Sequence, residues 1–128
     1  MKTIEKGDLT VLAIATALAK RGERILIPFS QAERYDLALD RAGTLYRIQC
    51  KTGRMRKGAV LFKACSHGPR STLRRYGGEI EAFGVYCREI DRCFLVPIEA
   101  VAGVSRVALR IESRTHQRTI RYATDFAI

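Results

Sequence analysis

The hydrophobic period of this chain changes once, at Gly22. Before it, residues 4–21 carry Leu9, Leu12, Ile14 and Leu18 as apolar positions with alanines between them, which predicts a helix stopped by Gly22. Glu5 and Asp8 fall in its first turns and Lys20 and Arg21 in its last, as the helix dipole favours. After Gly22 the runs are strand-like. "RILIPF" predicts a buried strand ended by Pro28, and residues 36–40, the turn "RAG" and "TLYRIQC" predict a hairpin. "GAVLFKACS" predicts a further strand, and "HGPRSTLRRYGG" an exposed loop. "EAFGVYC", the turn "REID" and "RCFLVPIEAV" predict a second hairpin, with "RVALRIES" as a last strand before a basic tail. One helix followed mostly by strands implies an α+β or mixed α/β fold, a sheet covered by the N-terminal helix.

No repeat or linker divides the sequence, so residues 1–128 are expected to form a single domain. Its charge is unusual: 23 Lys and Arg against 13 Asp and Glu give +10 and a pI near 10. Such a surplus predicts a polyanionic partner, most naturally nucleic acid, although basic side chains that are merely solvated would give the same count. "MKTIEKGDLT" has no signal-peptide core and "VLAIATALA" is too short to span a bilayer, which predicts a soluble, cytoplasmic protein with no membrane partner. Cys50, Cys65, Cys87 and Cys93 lack C-x-x-C spacing and are expected to be reduced thiols; drawing Cys65, His67, Cys87 and Cys93 together as a metal cluster matches no zinc pattern.

The chemistry concentrates in "RYDLALDRAGTLYRIQCKTG", residues 34–53. Side chains alternate along a strand, so Gln49 and Lys51 share one face and Cys50 takes the other. An acid at the start of one strand, with Q-x-K in the strand returning beside it, suits a divalent cation and a scissile phosphate. Magnesium takes hard oxygen ligands and keeps several waters; Asp36 offers a carboxylate, Gln49 an amide oxygen and Cys50 its backbone carbonyl. Lys51 could position or deprotonate an attacking water and stabilise charge on the phosphate. Without further support, Asp36 could equally cap a turn, Gln49 bond within the sheet and Lys51 face solvent.

"YDLALD" followed by "IQCKTG" resembles the PD-(D/E)XK nuclease core, with Tyr35 where Pro often stands and Gln49 in place of the second acid. More narrowly, "KGDLT", "RYDLALD", "IQCKTGRMRKGAVLF", "GEIEAFGVYC", "FLVPIE" and "IRYATDF", in that order, resemble the group I intron-associated homing endonucleases of cyanobacterial type. The resemblance implies a central mixed sheet flanked by helices, magnesium-dependent hydrolysis of double-stranded DNA at a long target, and Asp36, Gln49 and Lys51 as site residues. Cutting both strands calls for two sites related by a two-fold axis, hence a homo-oligomer, dimer or tetramer. The chain departs from that pattern at Val11, where the branch carries a metal-holding Glu on the first helix. Asp8, one turn earlier, or Glu33 could substitute; otherwise the chain is expected to bind DNA and to cleave it poorly. A Holliday-junction-type structure-selective nuclease and a non-catalytic DNA-binding module remain the alternatives.

Arg54, Arg56 and Lys57 follow directly on the site and are placed to hold the DNA backbone, while Arg74, Arg75 and Tyr76 are the expected base-reading group, though a plain surface loop would look the same, and Arg70 in the same loop is a further expected DNA contact. His67 beside them reads as a phosphate contact or a solvated residue. Arg114, His116, Arg118 and Arg121 form a further basic cluster that could contact DNA or solvent. Glu79 and Glu81 read as solvated or salt-bridged, and Tyr35, Tyr46, Phe83 and Tyr86 as core or sheet residues.

Overall fold

The structure, a computed structural model, describes residues 1–67, 73–111 and 120–128. The helix α1 spans Thr3–Lys20 and buries Thr10, Ile14 and Leu18. Leu12, expected on the buried face, is 63% exposed, because the contact face follows the i, i+4, i+8 row of Thr10, Ile14 and Leu18. At its end Gly22 adopts φ 85°, which lets the N–H groups of Gly22 and Glu23 turn back to the carbonyls of Ala19 and Leu18.

Among the described residues ten strands follow: β1 (Ile25–Leu26), β2 (Leu37–Arg41), β3 (Thr44–Arg56), β4 (Ala59–Lys63), β5 (Cys65–His67), β6 (Leu73–Arg75), β7 (Ala82–Cys87), β8 (Arg92–Pro97), β9 (Arg106–Arg110) and β10 (Arg121–Tyr122). The sheet is mixed, as expected. β3 runs antiparallel to β2 and β4 but parallel to β7, and β9 runs parallel to β10. Both β3 hairpins close through left-handed pairs, Ala42–Gly43 and Lys57–Gly58, the turn geometry whose twist matches paired strands.

Long β3 organises the molecule. Its residues 48–53 pair with β7, which in turn pairs with β8, whereas residues 54–56 pair with β4, which pairs with β9. The chain thereby builds two sheet regions that share one strand. Ile14 and Leu18 of α1 pack with Leu37, Leu39, Ile48 and Tyr86 on one face of the β2-β3-β7 region. Phe83, Val85, Phe94 and Val96 pack against Val60, Phe62, Val107 and Leu109 on the other. β7 is consequently buried at every position. Gly84 is where α1 lies closest: a Cβ there would meet Ile14 Cγ2 at 2.9 Å. Gly53 plays the same part on the opposite face, where a Cβ would sit 2.6 Å from Val60 Cγ1.

Several elements differ from the sequence expectation. "RILIPF" pairs only at Ile25 and Leu26 and leaves Ile27 and Phe29 exposed, because among the described residues it forms the sheet edge beyond β2. "GAVLFKACS" breaks at Ala64, whose N–H goes to the Ser105 carbonyl, so β5 leaves β4 and pairs with β6, in a segment expected to be loop. "RCFLVPIEAV" stops as a strand at Pro97 and continues as a 3-10 turn over Ile98–Val101. Among the described residues α1 is the single α-helix, so the sheet is flanked by it and by short 3-10 turns. No helix of the described residues is long and apolar enough to cross a membrane.

Candidate active site

Asp36 lies at the entry to β2, opposite the middle of β3. Its N–H donates to the Ile48 carbonyl at 2.9 Å and its Oδ2 accepts the Cys50 N–H at 2.9 Å. The N–H and C=O of one strand residue leave on the same edge, so the Cys50 carbonyl is directed to the edge beside Asp36. The Cys50 side chain points into the α1-side core, which leaves Gln49 and Lys51 on the opposite face, as alternation requires. Burial pushes the Asp36 carboxyl above its usual range; the Cys50 N–H and the nearby Lys51 charge pull it partly back.

Lys51 is held by its surroundings. Its Nζ donates to the Cys65 carbonyl and to the Tyr76 hydroxyl, each at 3.2 Å. Tyr76 is only 4% exposed, stands edge-on to Phe83 at 5.5 Å and carries the Arg34 guanidinium 3.8 Å above its ring. Arg34 in turn donates to Ser66 Oγ at 2.8 Å and to the Arg75 carbonyl at 3.1 Å, and pairs with Glu79 at 3.1 Å. Tyr76 therefore corrects the expectation of a base-reading side chain: the β5-β6 pair folds it inward against the β7 face, where it holds Lys51. Arg34 carried no sequence signal of its own beyond standing next to "YD".

Val11 faces the same groove as Asp36. That groove, about 770 Å³, is walled by Asp8, Val11 and Leu12 of α1 and by the segment from Ile27 to Asp36, including Glu33. Asp8 and Glu33 thus share a groove with Asp36, yet among the described residues no three His, Cys, Asp or Glu side chains converge as a metal site. The suggested thiol cluster does not form either: Cys87 and Cys93 lie in the cores on opposite faces of the sheet. The four cysteines are free and buried, and burial holds the Cys93 thiol up at about 11, so it stays neutral.

The sequence matches the PD-(D/E)XK endonuclease family over residues 1–128. The chain belongs to that family. Its fold is similar to that of a bacterial homing endonuclease, I-Ssp6803I, with a TM-score of 0.78 at 22% sequence identity, covering 99% of this chain and 89% of that one. No curated protein sequence matches it. Within the PD-(D/E)XK frame, the acid at the entry to β2 meets the Q-x-K strand at the Cys50 N–H.

The other basic residues divide. Arg54 and Arg56 are exposed at the end of β3, and Lys57 sits in the following turn. Arg74 pairs with Glu79 at 3.5 Å, and Arg75 is exposed. Arg121 is tied to the Ala100 carbonyl at 2.9 Å beside β9 instead of facing solvent. Arg70, Arg114, His116 and Arg118 lie outside the described residues. Glu81 forms a two-oxygen pair with Arg47, closest approach 2.6 Å, so the salt-bridged reading of Glu79 and Glu81 holds.

Proposed function

We propose that this chain is a magnesium-dependent DNA endonuclease of homing type, acting in the cytoplasm as a homo-oligomer on a long duplex target. The observation that carries the reading is the hydrogen bond from Cys50 N–H to Asp36 Oδ2, which sets one carboxylate against a directed carbonyl beside the Q-x-K strand. One carboxylate, one amide and one carbonyl are hard oxygen donors, a set that suits a largely hydrated magnesium ion. Asp36, Gln49 and the Cys50 carbonyl would hold it. When bound, the ion supplies Lewis-acid polarisation of the phosphate and a more acidic water.

The chain's own residues supply the rest. An ammonium has three N–H donors, and two of those on Lys51 are engaged by Cys65 and Tyr76. The third, without a partner among the described residues, can donate to a phosphate oxygen or hold the attacking water, and the fixed charge stabilises the developing negative charge. Arg54, Arg56 and Lys57 lie next along the chain to contact backbone phosphates, and Arg70, Arg74 and Arg75 supply further DNA contacts. Val11 puts an apolar side chain in the groove where the resemblance expects a Glu, so metal affinity and cleavage are lowered while DNA binding remains.

Val11 also favours a second reading, a non-catalytic DNA-binding module. Magnesium-dependent cleavage of a duplex carrying the intron insertion site, for this chain and Val11→Glu side by side, separates the two. Cutting by Val11→Glu alone, with binding by both, supports an impaired nuclease. Binding by both with cutting by neither leaves the binding module, and full turnover by the unchanged chain removes the impairment. Preference for a four-way junction over linear duplex would indicate a structure-selective nuclease instead.

A further inference from the structure

A crevice opens where β3 and β4 part. The two strands pair only between residues 54–56 and 59–61; from there β3 runs beside β7 and β4 beside β9. The opening, about 760 Å³, has Lys51 and Arg54 on the β3 side and Lys63 and Arg106 on the other, with Leu61 and Phe62 between. Lys63 is paired directly with Arg106, and Arg54 with Leu61 two residues before Lys63, so Arg54, Lys63 and Arg106 point to one face.

These three cations are exposed, and among the described residues none of them has an ion-pair partner. Four other arginines, Arg34, Arg41, Arg47 and Arg74, each meet a glutamate. Among the described residues no carboxylate lines the crevice. Like charges gathered without counter-charges repel one another, and a polyanion relieves that repulsion. Three adjacent strands span roughly 10 Å, and successive nucleotides of one DNA strand rise about 3.4 Å, so the crevice matches a few consecutive phosphates.

We propose that this crevice, which Lys51 borders, seats the DNA backbone flanking the scissile phosphate, with Arg54, Lys63 and Arg106 contacting phosphates without reading bases. The proposal rests on the nuclease reading of Asp36, Gln49 and Lys51, and it adds Lys63 and Arg106, which no sequence motif marked.

The test is duplex binding without divalent metal, so that no strand is cut, over a range of salt concentrations. The proteins are the full chain, the double variant Lys63→Gln/Arg106→Gln, and a control double variant Lys20→Gln/Arg92→Gln that removes the same charge from exposed positions elsewhere. Thermal unfolding confirms that all three fold alike. The crevice variant is expected to flatten the slope of log K against log salt by about 1.8, or about 0.9 per lost phosphate contact, on target and random duplexes alike, while the control keeps the parent slope. An unchanged slope for the crevice variant, or an equal loss in the control, overturns the proposal. Failure of the parent chain to bind any duplex overturns instead the DNA reading beneath it.

Discussion

Lys51 Nζ and Tyr76 Oη stand 3.2 Å apart, and that contact joins the Q-x-K strand to the residue that follows β6. Tyr76 meets Lys51 twice, through its hydroxyl and through its ring face, 5.0 Å from the ammonium. Removing only the hydroxyl keeps the packing against Phe83 and Arg34. Tyr76→Phe, made in the Val11→Glu background, is expected to fold with a stability change within about 1 kcal/mol, the worth of one hydrogen bond. Duplex affinity should be unchanged and single-turnover cleavage about tenfold slower, because the Lys51 amine loses one of its two fixed acceptors. Equal cleavage by the two proteins would show that Cys65 alone positions the lysine.

Asp36→Asn separates folding from metal binding at a single atom. The Asn amide oxygen still accepts the Cys50 N–H, so the hairpin should form and thermal stability should stay close to the parent. The loss is the one carboxylate among the proposed ligands. Manganese titration followed by paramagnetic broadening of the amide signals around Cys50 should show the ion's effect in the parent and its loss in Asp36→Asn. Broadening that survives in the variant would place the ion elsewhere.

Gly84 decides how close α1 can lie. A Cβ would come within 2.9 Å of Ile14 Cγ2 and 3.1 Å of Ile48 Cγ2, two fully buried side chains with little room to yield. Gly84→Ala is expected to destabilise the fold by roughly 1–3 kcal/mol in urea unfolding, the usual cost of overpacking a core. The same change at Gly77, where a Cβ would meet nothing within 4 Å, is the control and should cost well under that.

Arg47 and Glu81 give a pH-dependent contribution to stability. Hydrogen bonds from the Arg47 guanidinium hold the Glu81 carboxyl below its ordinary value; burial opposes them, and the Arg47 backbone N–H and charge add to the lowering. A carboxyl with a lowered folded-state pKa stabilises the fold above its unfolded pKa, and the contribution disappears as pH falls through the folded value. Glu81→Gln should therefore be less stable than the parent by about 1–2 kcal/mol at pH 7, a range for charge-assisted bonds with partial exposure. The gap should narrow below about pH 4.5 and close in stronger acid, as measured by urea midpoints.

Much of this was legible locally. The helix expected over residues 4–21 forms over Thr3–Lys20, and the hairpin around Gly43 forms in the register that puts Asp36 beside Cys50. Apolar periodicity, turn residues and strand alternation are properties of neighbouring residues, so a single sequence displays them. Alternation alone was enough to put Gln49 and Lys51 on one face with Cys50 on the other.

What covers each face was decided by the tertiary structure. β3 meets β7 across some thirty residues of chain, and its pairing partner changes from β7 to β4 after Gly53. That exchange opens the crevice of Lys63 and Arg106, while the β5-β6 pair brings Tyr76 inward to Lys51 and the packing of α1 sets Val11 in the groove of Asp36. None of these follows from local pattern, because strand pairing at long range is settled by the packing of the whole core, and a basic side chain reads the same in a sequence whether a glutamate meets it or an open crevice does.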